Sequence, residues 1–135
     1  MIGFLFILGG FLSENNYIPY VSLHNHTVFS IMDSLIEPED LFAKAKELNQ
    51  PAVAVTDHGT LAGIWDSYKL SKKYGVKLIA GCEFYFVDKV EDEHERLRHV
   101  ILLAKNHTGY KNLLKLSELG FNNLIVYNKK VYPRS

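Results

Sequence analysis

The 135-residue chain has one cysteine, Cys82. This excludes an internal disulfide framework and any metal cluster built from cysteine alone, and it fits a reducing compartment. Net charge is absent too: 15 Lys and Arg balance 15 Asp and Glu. Without a global basic field, contact with DNA has to come from a local patch or from a partner. No cationic side chain precedes Lys44, and no Ala-x-Ala pattern follows the apolar run at residues 1–12. That run is too short to span a bilayer and lacks the marks of a secretory signal. A cytoplasmic protein without membrane attachment is therefore expected. Residues 1–16 read as an apolar leader or a buried first strand, weakened by Gly9 and Gly10. Internal repeats, low-complexity tracts and interior linkers are also missing, so one domain is expected over residues 17–135.

A hydrophobic content of 47% with 22% charged residues is that of an ordinary globular domain and carries no disorder signature. The chain is long enough to bury a core, yet shorter than the roughly 250 residues of a complete α/β barrel. Along residues 17–25 the pattern is strand-like, and alternation places His24 and His26 on one face. Pro38 sits at a helix start, with Glu39 and Asp40 in the first turn and Leu41, Phe42, Ala45 and Leu48 at helical spacing. Residues 52–56 form a continuous apolar run of strand length, ended by Asp57-His58-Gly59. A helix over about 61–74 stops at Gly75. A strand over 76–80 then leads into Gly81-Cys82-Glu83 and a further run to Val87.

The charged stretch 88–98 reads as a solvated connection and 99–104 as another buried strand. Asn106 to Gly109 forms a turn, and 110–119 a helix capped by Gly120. The tail to Ser135 shows no clear periodicity. This alternation predicts an α/β fold with a parallel sheet or barrel, in which active groups collect at the carboxyl ends of the strands.

Candidate chemistry gathers at those ends: His24 and His26, Asp57 and His58, Glu83, and His99. Imidazole nitrogen and carboxylate oxygen suit zinc, manganese or iron, and a carboxylate can bridge two ions for displacement at phosphorus. Each residue also has a plainer role. A lone strand histidine is commonly structural, and Asp57 can hold a turn or cap a helix. For Asp57, direct ligation and hydrogen-bonded support of a ligand both stand. A carboxylate such as Glu83 in apolar surroundings requires a cation or a raised pKa, which favours a metal. His94 and His107 read as solvated, Cys82 as a small core residue pointing away from Glu83, and Trp65 and Tyr68 as core and helix-face packing.

The run His24-Asn25-His26-Thr27-Val28-Phe29-Ser30-Ile31-Met32-Asp33 resembles the first motif of the PHP (polymerase and histidinol phosphatase) superfamily in its polymerase form. Thr56-Asp57-His58-Gly59 resembles the second motif, and Gly81-Cys82-Glu83 the one that follows. His99 to Asn106 with Gly109-Tyr110-Lys111-Asn112-Leu113 is similar to a stretch of bacterial DNA polymerase III alpha subunits. The resemblance covers about Pro19 to Arg134.

It implies part of a distorted (β/α)7 barrel holding up to three divalent ions, with His24, His26, Asp33, His58, Glu83 and His99 as ligands. The implied activity is phosphoester hydrolysis by metal-activated water, on a small phosphate ester or as a 3′–5′ exonuclease on DNA. The implied partners are polymerase domains or a chain that completes the barrel. The family's later His and Asp-x-His ligands have no counterpart here, so a domain truncated on its C-terminal side is expected. The polymerase carboxylates are missing as well, so the chain is not a polymerase by itself. A non-catalytic module of a replicative polymerase and a free-standing small-molecule phosphatase are the competing readings.

Overall fold

Pro38 opens α1 (Pro38–Glu47), where its fixed φ and missing N–H suit the first helical position. Glu39 and Asp40 in the first turn and Lys44 and Lys46 in the last oppose the helix dipole. The chain then forms β1 (Ala52–Val55), α2 (Ile64–Tyr74), β2 (Lys77–Phe86), β3 (Arg98–Leu103), α3 (His107–Asn122), β4 (Ile125–Tyr127) and β5 (Lys130–Tyr132). These elements come from a computed structural model that describes residues 20–86, 98–122, 125–127 and 130–132. The leader at residues 1–16, His94 and most of the charged connection lie outside the described residues. Among the described residues, no helix is long and apolar enough to cross a membrane.

The main sheet has the order β1-β2-β3. β1 and β2 are parallel, with Val53 opposite Leu78 and Val55 opposite Ala80. Residues 20–26 run along the other side of β1, where Ser22 bridges Val53 in parallel. The backbone N–H groups of Ala54 and Thr56 bond there to the carbonyls of Ser22 and Asn25. The expected first strand is thus present as an extended segment with only an isolated bridge.

Two apolar clusters hold the helices to the sheet. Phe42 and Ala45 of α1, Val53 and Val55 of β1, Ile64 of α2 and Val76 pack together, with Leu70, Leu78 and Tyr110 around them. Full burial of side chains such as Phe42 and Val53 contributes about 1.5–3 kcal/mol each. Cys82 and Phe84 of β2 pack with Leu113 of α3 in the second cluster. At the surface, Glu39 of α1 accepts hydrogen bonds from Lys73 and Tyr74 at the end of α2, an exposed arrangement of small energetic weight.

The α/β class matches the expectation, while several elements differ from it. β3 is not a buried parallel strand: it pairs antiparallel with β2, Tyr85 opposite His99 and Gly81 opposite Leu103, and most of its side chains are exposed. The expected strand 76–80 and the run after Glu83 are one continuous β2.

α3 is longer at both ends than the apolar spacing indicates. Asn106 Oδ1 accepts the Gly109 N–H at 3.0 Å, so the polar Asn106 stretch caps the helix. Gly120 lies buried inside the helix and does not end it. The tail contains the β4–β5 hairpin. Trp65 is 66% exposed and stacks on Tyr68 at 5.8 Å, so these aromatics are not core. They line an open cleft of about 1050 Å³ between α2, the start of β2 and the start of α3.

Two glycines are required by geometry. Gly75 ends α2 in the left-handed region, at φ 68°. At Gly81, a Cβ would lie 2.7 Å from Leu103 Cδ2 and 2.8 Å from both Leu102 O and Thr56 Cγ2. Gly81→Ala is expected to destabilise the fold by about 1–3 kcal/mol in urea denaturation followed by circular dichroism. Gly109→Ala, where the new methyl meets Ala104 at 3.4 Å or more, is expected to be neutral or to stabilise by up to about 1 kcal/mol. Equal effects at the two positions would contradict the packing described for Gly81.

Candidate metal centre

The carboxyl end of β1 and the middle of β2 run side by side at the site. Glu83 N–H bonds to Asp57 O at 3.1 Å and Gly59 N–H to Glu83 O at 2.8 Å, which makes the His58–Glu83 bridge. Strand alternation sends Cys82 and Phe84 to the core and Glu83 and Tyr85 to the opposite face. The antiparallel register then places His99 opposite Tyr85, on the Glu83 face.

Glu83 is 2% exposed and surrounded by imidazoles. Its Oε2 lies 2.6 Å from His24 Nε2 and 3.0 Å from His26 Nε2. Its Oε1 lies 2.5 Å from His99 Nδ1 and 3.7 Å from His58 Nδ1. The rings of His26 and His58 stack at 4.2 Å, and His24 Nε2 is 3.0 Å from His26 Nε2.

Asp33 arrives from the turn that follows His26. Met32 takes a left-handed backbone, φ 69°, costing about 1–2 kcal/mol for a residue with a Cβ. Ser30 O accepts the N–H groups of both Asp33 and Ser34. Asp33 Oδ2 then lies 2.9 Å from His58 Nε2 and 3.9 Å from His26 Nε2. The structure therefore brings together all six candidates, His24, His26, Asp33, His58, Glu83 and His99. Two triads, His24/His26/Glu83 and His26/Asp33/His58, have donor atoms close enough to share an ion. His99 joins neither triad and approaches Glu83 from its other oxygen.

Asp57 sits behind this cluster, fully buried. Its Oδ1 accepts Thr27 N–H at 2.6 Å and Ser30 Oγ–H at 2.8 Å, and its Oδ2 accepts Thr27 Oγ1–H at 2.8 Å. Ser30 Oγ in turn meets His26 Nδ1 at 3.0 Å. Sequence reasoning passed over the roles of Thr27 and Ser30, although the spacing of two hydroxyl residues just after the histidine pair was a signal for them. Tyr85 was also missed. Its ring stands edge-on to His99 at 4.6 Å and parallel to His58 at 6.2 Å. Burial raises its phenol pKa, with the Glu83 and Asp33 carboxylates adding to the effect.

Among the described residues, the only basic side chains against Glu83 are histidines. Burial by itself would raise the Glu83 pKa. The hydrogen bond from His24 and the fields of His58, His24 and His26 outweigh it, and the carboxyl falls below its usual 4.5. Burial, and next the neighbouring His58, hold His26 below its usual 6.5, so its ring stays neutral, as a ligand must be. His58 Nδ1 is buried without a hydrogen-bond partner. A buried carboxylate, the neutral ring of His26, the imidazoles beside it and the orphaned ring nitrogen of His58 facing one another fit a divalent cation of the zinc, manganese or iron type. The Cys82 thiol, pushed up to about 12 by burial and then by Asp57, stays protonated and bonds Asp57 O. It is a core group.

Residues 22–134 match the PHP domain family. The chain belongs to that family. It is 39% identical over 118 residues to the DNA polymerase III subunit alpha of Borreliella burgdorferi, covering 83% of this chain and 10% of that protein. It is 38% identical over 125 residues to the Aquifex aeolicus subunit, covering 83% and 11%. The chain thus spans about a tenth of the length of these relatives. Among solved structures, a candidate metal-dependent phosphoesterase from Bifidobacterium adolescentis aligns with a TM-score of 0.54 at 27% identity, over 76% of this chain and 34% of that one. An amidohydrolase from Chromobacterium violaceum aligns at 0.53 and 20% identity, over 73% and 33%, a likeness of fold.

Acid should unfold the cluster in two stages. Below the usual 6.5 of histidine, the unfolded chain binds a proton that folded His26 refuses, so stability falls as pH drops through that range. The contribution of Glu83, present above its usual 4.5, is lost as pH falls further through its folded value. In chelator, the melting temperature is expected to be flat from about pH 8 to 7 and to decline below about 6.5. A melting temperature that rose on acidification to about 5.5 would contradict the neutral state of His26.

Proposed function

We propose that this chain carries the metal-dependent phosphoesterase site of a PHP domain of the DNA polymerase III alpha type. The observation supporting this most directly is the buried Glu83 carboxylate, faced by His24, His26, His58 and His99 with no Lys or Arg beside it among the described residues. In this reading His24, His26 and Glu83 hold one ion and Asp33 and His58 another. His26 Nε2, nearer to Glu83 than to Asp33, belongs to the first set. His99 completes the Glu83 side. Bound divalent ions lower the pKa of a water molecule and neutralise charge on phosphoryl oxygens.

The chain's own residues supply shape and polarity. Glu83 offers separate oxygens to the two sides of the site, and Asp33, on an exposed turn, closes the solvent side. Asp57 supports the histidines without ligating, because Thr27 and Ser30 already occupy its carboxylate. The substrate is a phosphate ester, either a DNA 3′ end or a small monoester. Polymerase domains, or a chain that completes the barrel, are the proposed partners.

Metal uptake measured by elemental analysis tests the ligands first. The wild-type chain is expected to retain divalent ions that the His24→Ala/His26→Ala variant loses, and unchanged uptake in the variant would refute the assignment. Turnover is then read as manganese- or zinc-dependent release of nucleotide or phosphate, abolished by chelator. Release from DNA ends in preference to monoesters identifies the exonuclease form, and the reverse preference a small-molecule phosphatase. A metal-dependent gain in melting stability, about 2.7 kcal/mol at a hundredfold excess over Kd, without any turnover would instead make the site a structural staple.

A further inference from the structure

The hydroxyl of Ser30 is 1% exposed and has three neighbours. Asp57 Oδ1 lies at 2.8 Å, His26 Nδ1 at 3.0 Å and the backbone N–H of His58 at 3.1 Å. A serine hydroxyl has one proton to give and two lone pairs to accept with. The His58 N–H can only donate. Asp57, as a carboxylate, can only accept, and Thr27 N–H and Oγ1–H already donate to it. Ser30 must therefore give its proton to Asp57 and accept one from His58 N–H. The lone pair that remains faces His26 Nδ1 and requires a proton there. The opposite arrangement, Ser30 donating to His26, would leave two unprotonated oxygens facing each other at 2.8 Å in a buried site.

From this proton inventory we infer that Ser30 is a positioning residue that fixes His26 as its Nδ1–H tautomer and so bares Nε2 toward Glu83 and His24. The chain of bonds runs from Asp57 through Ser30 to His26, and each link has a single allowed direction. Without it, the ring would favour the other tautomer, since Glu83 Oε2 lies 3.0 Å from His26 Nε2 and would draw a proton onto that nitrogen. A proton on Nε2 blocks the atom that faces the cluster. Ser30 thus keeps a cation site from being closed by its own carboxylate. The purpose assigned to this tautomer rests on the metal reading above; the tautomer itself does not.

The test uses the full chain, labelled with 15N and free of metal, and long-range 1H–15N correlation of the His26 ring at neutral pH. Wild type is expected to show protonated Nδ1 and bare Nε2. Ser30→Ala is expected to shift the ring toward Nε2–H and to weaken zinc binding by about 10–100-fold in titration calorimetry. Asp57→Asn separates this from a general loss of packing. Thr27 N–H demands an acceptor at the Oδ1 position, so the amide oxygen takes that place, Ser30 goes on donating, and the tautomer stays Nδ1–H. Finding Nε2–H in the wild-type chain, or finding both tautomer and zinc affinity unchanged in Ser30→Ala, would overturn the inference. A wild-type chain that shows the Nδ1–H tautomer, lost in Ser30→Ala, yet takes up no zinc upholds the inference and refutes the metal reading.

Discussion

The hydrogen bonds between Asp57 and the Thr27–Ser30 turn join the two halves of the site. The histidine-bearing segment at residues 20–26 reaches β1 through few ladder bonds, so backbone pairing alone would hold it loosely. Asp57 closes that gap by accepting three hydrogen bonds from Thr27 and Ser30 at 2.6–2.8 Å. Charge-assisted bonds of this length are roughly twice as strong as neutral ones. Position follows from them: with Thr27 fixed, His26 next to it is fixed, and the turn can carry Asp33 back over His58. Asn25 helps from the other side, its amide donating to Ala54 O at 2.9 Å.

On this frame sits a second carboxylate with a different task. Both oxygens of Asp57 accept hydrogen bonds from Thr27 and Ser30, whereas those of Glu83 are faced by imidazole nitrogens. Both side chains are buried where the end of β1 meets the middle of β2, and their environments separate them. One ties the Thr27–Ser30 turn to β1, and the other faces the cluster of histidines. Among the described residues, imidazoles take the place of lysine or arginine around the second, hydrogen-bonding the carboxylate through ring nitrogens that could also face a cation.

Much of this was legible in the sequence, and the particular failures have physical causes. The helices at Pro38 and before Gly75 announced themselves by capping and periodicity, which are local signals. The gathering of His24, His26, His58 and Glu83 followed from placing each at a strand end. His99 came to the same site by a different route, an antiparallel strand whose apolar run HVILLA reads like a buried parallel one. Periodicity carries no information about strand direction, which is set by the length and content of the connection. Trp65 and Tyr68 read as core and helix-face packing; they stack on each other along α2, but the helix turns them outward and not into the core. The role of Ser30 could not be read from composition, since one hydroxyl among many gains meaning only when its three partners are placed around it.

The antiparallel entry of β3 also bears on the order in which the protein folds. β2 and β3 are sequential and pair antiparallel, so the Glu83 and His99 side needs little loop closure. His24 and Glu83 are 59 residues apart, and Thr27 and Asp57 are 30 apart, so the other side closes longer loops. Contacts of long sequence separation carry the larger entropic cost and come late. A chain whose first segment has not docked presents only part of the donor set that the proposed site requires.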